Sequence, residues 1–296
     1  MNMATIGIFD SGSGGLSVYR ELVKLLPGER YVYYSDNAHC PYGEKTALYI
    51  QRRARFITEF LLDKGADIIV VACNTATAAA IATLRTEYPD VPFVGMEPAV
   101  KPAALGTKTG VIGVLATAGT LKGSKYLNTR VLYADDVRVV EHVGQGFVEL
   151  VENGILDGPE AESTVRASLQ PLLDQGADVI VLGCTHYPFL RPVIERLAGP
   201  GIQIIDPAPA VARQLLRVLS SCSATALDGG ISPEPPAALK SLSDFADSKV
   251  PGPGRSADAD FASLNGQATD SKNLRGSVTL LSSGDPAILH RLARCA

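Results

Sequence analysis

Short apolar runs alternate along this chain with stretches in which apolar positions recur at helical spacing. The runs predict strands over 5–9, 30–35, 67–72 and 91–96, then over 110–115, 178–183 and 202–205. A strand is also predicted at either 131–134 or 137–140, and the pattern leaves both open. Helical periodicity covers 16–26, 44–63, 75–85, 146–153, 160–174, 188–197 and 208–219, with a further helix after 116–120. Runs bounded by glycine and rich in β-branched residues read as strands buried on both faces, and their alternation with helices predicts parallel sheets covered on both sides. The segment 37–43 carries turn chemistry. From 232 to 273 Pro, Ser, Ala, Asp and Gly dominate, with too few large apolar residues to offset ordering entropy, so loop or disorder is expected there. A last strand over 277–281 and a helix over 285–294 then return the chain to its first half.

One pattern occurs twice. Lys64-Gly65-Ala66-Asp67-Ile68-Ile69-Val70-Val71-Ala72-Cys73 aligns without a break on Gln175-Gly176-Ala177-Asp178-Val179-Ile180-Val181-Leu182-Gly183-Cys184, at an offset of 184 − 73 = 111 positions. Each apolar run delivers its cysteine to the carboxyl end of a strand, where open α/β sheets hold ligands. The expected fold class is therefore α/β, with two similar doubly wound, mainly parallel-sheet domains related by pseudo-two-fold symmetry. The site is expected in the cleft between them. The division is expected to set 1–97 plus 208–296 against 98–207.

Composition narrows the function. With 46% hydrophobic and 20% charged residues in 296, the chain reads as a globular protein of one or two domains. A net charge of −4 argues against nucleic acid and anionic membranes as partners. No long apolar run and no leader-like start are seen, so a cytoplasmic location is expected. Cys40, Cys73, Cys184, Cys222 and Cys295 are odd in number and scattered, which reads as free thiols rather than a disulfide framework or a structural zinc site.

Two cysteines at matched strand ends, each ahead of a helix, point to thiol chemistry, because a helix N-terminus favours thiolate. His186 reads equally as a hydrogen-bonding group or as a partner for the Cys184 proton. Asp10, before a glycine-rich turn, reads as a helix cap or as a partner for an ammonium group. Asn74, Thr75 and Thr185 suit helix starts and also carboxylate recognition. Tyr42 and Gly43 fit a plain turn, and Glu152 fits the polar face of a helix.

Ile8-Phe9-Asp10-Ser11-Gly12-Ser13-Gly14-Gly15, Cys40-Pro41-Tyr42-Gly43, Ala72-Cys73-Asn74-Thr75-Ala76 and Gly183-Cys184-Thr185-His186-Tyr187-Pro188 together resemble the glutamate racemases, over roughly 5–220. The resemblance implies an enzyme that interconverts L- and D-glutamate without cofactor or metal and supplies D-glutamate for peptidoglycan. It implies Cys73 and Cys184 as the acid/base pair, with Asp10 and His186 in catalysis. Asp10, Ser11, Tyr42, Gly43, Asn74, Thr75, Thr185 and His186 match its substrate-binding positions, and Asp36 and Glu152 its supporting acidic groups. Glutamate is the implied small-molecule partner, and a homodimer is left open. The chain departs from the family pattern at Asp206-Pro207-Ala208 and at 232–273. A racemase for another amino acid such as aspartate, or a two-lobed binding protein without chemistry, are the competing readings.

Overall fold

The structure, a computed structural model, describes residues 3–132, 137–228, 264–266 and 276–295. Its first half runs β1 (Thr5–Asp10), α1 (Leu16–Leu25), β2 (Arg30–Ser35), α2 (Ala47–Asp63), β3 (Ile68–Val71), α3 (Asn74–Glu87) and β4 (Phe93–Gly95). A second series follows as α4 (Val100–Gly106), β5 (Val111–Ala116), α5 (Ala118–Leu121), α6 (Ser124–Leu132), β6 (Arg138–Val143), α7 (Phe147–Glu152), α8 (Pro159–Leu173), β7 (Val179–Gly183), α9 (Arg191–Ala198) and β8 (Gln203–Ile205). The chain closes with α10 (Ala208–Asp228), β9 (Leu264–Gly266), β10 (Ser277–Ser282) and α11 (Pro286–Cys295).

Two sheets result, ordered β4-β3-β1-β2-β10-β9 and β6-β5-β7-β8. The blocks β4-β3-β1-β2 and β8-β7-β5-β6 have the same order, and every pairing within them is parallel. The duplicated sequence is thus a duplicated topology, with β3 and β7 in corresponding places. Both are buried on both faces because their side chains alternate between two cores. Ile68 and Val70 join the core of α1 and α10, whereas Ile69 and Val71 join that of α2 and α3. In β7, Ile180 and Leu182 enter the same continuous core as Ile68, while Val179 and Val181 pack against Val100 and Tyr126. That shared core is the apolar contact between the two sheets.

Several elements differ from the pattern-based expectation. Val131 and Leu132 end α6, so the strand of that region is the alternative beginning near 137, and it runs to Val143. The helix expected over 188–197 is split: Tyr187–Leu190 form a 3-10 turn, and α9 starts at Arg191. Pro188 and Pro192 each lack an N–H donor, which confines them to the first turns of these two pieces. The short α4 is an addition to the pattern-based elements, its helical signature interrupted by Pro102 and Gly106. The expected last strand is β10, parallel to β2, with β9 antiparallel on its outer edge. Of 232–273 only Leu264–Gly266 is described; the loop expectation for the remainder lies outside the described residues.

Candidate active site

In each sheet the chain leaves in opposite directions from two adjacent strands, β1 and β3 in one and β5 and β7 in the other. The crevice this opens lies at the strand carboxyl ends. The two crevices face each other across a small cavity. Ser11, Tyr42, Gly43, Cys73, Asn74 and Thr75 line it from the first half, and Cys184, Thr185 and His186 from the second. Hydrogen bonds stitch the two sides together. Ser17 Oγ donates to the Thr185 carbonyl at 2.9 Å, and the Thr75 and Thr117 hydroxyls lie 2.8 Å apart.

The two thiols have different settings despite their matched positions. Cys73 is the N-cap of α3, and its Sγ accepts the Ala76 N–H at 3.4 Å and lies 3.6 Å from Ser11 Oγ. Burial pushes the Cys73 thiol well up from its ordinary value, and the Asp10 carboxylate adds to that. Cys184 instead precedes the 3-10 turn, without a helix cap, and meets His186 Nδ1 at 3.7 Å. The expectation of a helix N-terminus behind each thiol therefore holds for Cys73 alone.

His186 is buried between Cys184 and Glu152, whose Oε1 lies 2.7 Å from Nε2. Burial disfavours the imidazolium, but the hydrogen bonds to Cys184, Cys40 and Glu152 outweigh it and hold His186 well above the usual imidazole range. Burial likewise disfavours the charge on Glu152, but its hydrogen bond to His186 prevails and holds the carboxyl below its ordinary value. The carboxylate is also fixed by Ser13 N–H at 2.6 Å and by Asn37 Nδ2 at 2.8 Å. Gly12 and Gly14 permit this packing, because a Cβ on Gly14 would collide with the His186 ring and one on Gly12 with Glu152.

Asp10 does not cap α1. Its oxygens accept the Ser11 and Gly15 N–H groups at 2.8 and 2.6 Å and the Thr185 hydroxyl at 3.2 Å. It is fully buried just behind Ser11 and Thr185, and burial raises its pKa against the opposing charge of His186. Asp36 stands farther out. Arg53 grips it with two hydrogen bonds of 2.8 and 2.9 Å, and Tyr42 donates to it at 2.5 Å. His39 adds a contact at 2.9 Å. Asp36 therefore fixes Tyr42 in the cavity wall without lining the cavity itself. Asn74 lines the cavity, and both its side-chain amide atoms are buried without a partner among the described residues, as a group meant for a ligand would be.

The family model for Asp/Glu/hydantoin racemases matches residues 6–215. The chain belongs to this family. The glutamate racemase of Ectopseudomonas mendocina is 52% identical over 218 residues, 74% of this chain and 83% of the relative. The Escherichia coli glutamate racemase structure, solved with L-glutamate and the activator UDP-MurNAc-ala, superimposes with a TM-score of 0.69 at 36% identity, covering 74% of this chain and 83% of that one. The Francisella tularensis glutamate racemase bound to D-glutamate gives a TM-score of 0.65 at 29% identity, covering 75% and 83%.

Within this racemase-family cavity, Pro41, Thr117 and Val148 are lining residues that pattern reading did not single out. Thr117 had a signal: it caps α5 directly after an apolar run, the same place that Cys73 and Cys184 occupy after theirs. Cys40 also approaches His186 and Glu152, a grouping of three residues so distant in sequence that ligand spacing could not reveal it. The close contact at Gly14 leads to a first expected result. Gly14→Ala should keep its circular dichroism yet lose about 100-fold in racemase turnover, because pushing a proton-carrying ring off line by about 1 Å costs that much. Turnover within threefold of wild type would show that the His186 position is not critical.

Proposed function

We propose that the protein is a glutamate racemase working by proton exchange between Cys73 and Cys184, without a cofactor. The carrying observation is that two thiols from corresponding strand ends line one cavity between the two sheets. Inversion at the α-carbon needs a base on one face and an acid on the other. The Cys73 or Cys184 thiolate removes the α-proton, and the opposite thiol returns one to the other face; the two exchange roles between the two directions of the reaction. The unpartnered Asn74 amide, with Thr75 and Thr185, supports recognition of the substrate carboxylates, and the α3 N-terminus supports the charge that develops on them.

Asp10 and His186 take different parts in this reading. The Asp10 carboxylate is one cause of the high Cys73 pKa, so a substrate ammonium near Asp10 would relieve that repulsion and favour the thiolate only once substrate is bound. His186 stands against the Cys184 sulfur as proton partner, anchored by Glu152. The same reading takes 1–97 plus 208–296 and 98–207 as the two lobes, the bacterial cytoplasm as the location, and peptidoglycan synthesis as the fate of the product. Among the described residues no helix is long and apolar enough to cross a membrane.

Polarimetry tests the proposal. After dialysis against chelator, the protein should drive optical rotation of both L- and D-glutamate to zero with no added pyridoxal phosphate. Turnover of aspartate in place of glutamate, or turnover only after pyridoxal phosphate is added, would overturn it.

A further inference from the structure

Behind the proposed acid/base pair lies a cluster with a different chemistry. The Cys40 sulfur, a Glu152 oxygen and a His186 ring nitrogen all lie within 4.8 Å of one another. Thiolate, carboxylate and imidazole are the three donor types that zinc accepts, and a thiol in the set disfavours magnesium and calcium. Around a tetrahedral zinc with bonds of about 2.0–2.3 Å, donors stand about 3.3–3.7 Å apart. Seating an ion therefore takes shifts on the order of an ångström, in which His186 Nε2 and Glu152 Oε1, now 2.7 Å apart, open to ligand spacing while the Cys40 sulfur closes in.

Three further features fit a binding place. Gly12 leaves the middle of the triad open. A Cβ there would collide with Glu152 Oε1 and lie 3.0 Å from the Cys40 sulfur and 3.1 Å from His186 Nε2. The donors are held from behind: Ser13 N–H and Asn37 Nδ2 bind the Glu152 carboxylate, and the other His186 nitrogen faces Cys184. Such outer partners orient a ligand set before any ion arrives. Finally, Cys40 and Glu152 line a separate outer cavity, whereas His186 belongs to the inner one. An ion can thus reach the triad without passing through the substrate cavity.

We infer that Cys40, Glu152 and His186 form a site for a zinc-like divalent cation, and that occupation of it switches the enzyme off. Ligation exchanges the Cys40 thiol proton, and any proton on His186 Nε2, for the ion, and water completes the coordination. The ring is then locked by the metal and no longer free to trade a proton with Cys184. The inhibitory half of this inference rests on the racemase reading; the binding half does not.

The full-length Cys73→Ser/Cys184→Ser protein separates this site from the thiols of the substrate cavity. Titrated with Zn²⁺ against a chromophoric chelator, it should retain one ion per chain. With Co²⁺ it should show a thiolate-to-cobalt charge-transfer band. Adding Cys40→Ser should abolish that band and weaken zinc binding at least about 100-fold, beyond the 10–100-fold typical of losing an outer partner. Loss of zinc binding or of the band in the double variant would overturn the site, as would a change of less than threefold on removing Cys40. In the wild-type enzyme, Zn²⁺ should stop turnover and chelator restore it, and the Cys40→Ser enzyme should need about 100-fold more zinc for the same effect. Zinc bound with turnover undiminished would overturn the inhibitory half. A protein that binds zinc but never racemises glutamate would instead count against the racemase reading.

Discussion

Replacing either Cys73 or Cys184 by serine is expected to abolish racemisation of glutamate in both directions, by about 10³-fold or more, in line with the loss of a positioned acid or base. Each direction needs a base on one face and an acid on the other, and a serine hydroxyl is too weak an acid to supply the anion near neutral pH. Racemisation alone cannot show which thiol serves which enantiomer. L- and D-glutamate have equal free energies, so kcat/KM must stay equal in the two directions in every variant. A substrate analogue with a leaving group on the β-carbon removes that constraint, because elimination needs proton removal on one face and no return on the other. Family resemblance assigns Cys184 to the L-form and Cys73 to the D-form. The Cys73→Ser protein should therefore still eliminate from the L-analogue, and the Cys184→Ser protein from the D-analogue. Two mutants that process the same enantiomer, or either one racemising at full rate, would defeat the facing-thiol mechanism.

The largest expected loss of stability comes from Asp36→Ala. Asp36 is fully buried against the Arg53 fork, the Tyr42 hydroxyl and His39. Removing one member of a buried ion pair strands the other, and about 3–5 kcal/mol should be lost in urea unfolding. Tyr42 would also lose its anchor, so the remaining folded protein should turn over more slowly. The pH dependence has a definite sign. Burial opposes the Asp36 charge, but hydrogen bonds from His39 and Arg53 outweigh it and hold the carboxyl well below the ordinary range. Its contribution is therefore complete above the unfolded-state value of about 4 and is lost as pH falls toward the lower folded-state value. Wild-type protein should lose stability in acid more steeply than Asp36→Asn, which carries no titrating group there. Equal acid slopes for the two proteins would rule out Asp36 as the source.

The strands β3 and β7 could be read because they are short, β-branched and buried on both faces, which leaves an almost unbroken apolar signature; their order in the sheets was not legible. The thiols were legible for the same reason, since an apolar run that stops at a cysteine marks its own carboxyl end. What the pattern hid was held in tertiary packing. Glu152 lies at the end of a helix whose polar face would account for it, and only the approach of α7 to the β1 loop turns it toward His186. Cys40 gave no sign of its neighbours, because Glu152 and His186 reach it through folding rather than through spacing. The duplicated motif also misled in one respect. It implied equal helix support for both thiols, whereas Cys184 is followed by a 3-10 turn carrying Pro188, and α9 begins only at Arg191.

The route of the chain through its first sheet bears on biogenesis. β10 lies against β2, and Ala38 N–H donates to Ser283 Oγ from 245 positions away. During synthesis the β2 edge stays unpaired while the whole second sheet, contiguous in sequence, is made and closed. An exposed parallel edge waiting on so distant a partner is slow to fill and open to mispairing with other nascent chains. The half that supplies Cys73 is thus the late-maturing half, and chaperone demand should fall on it rather than on the half that supplies Cys184.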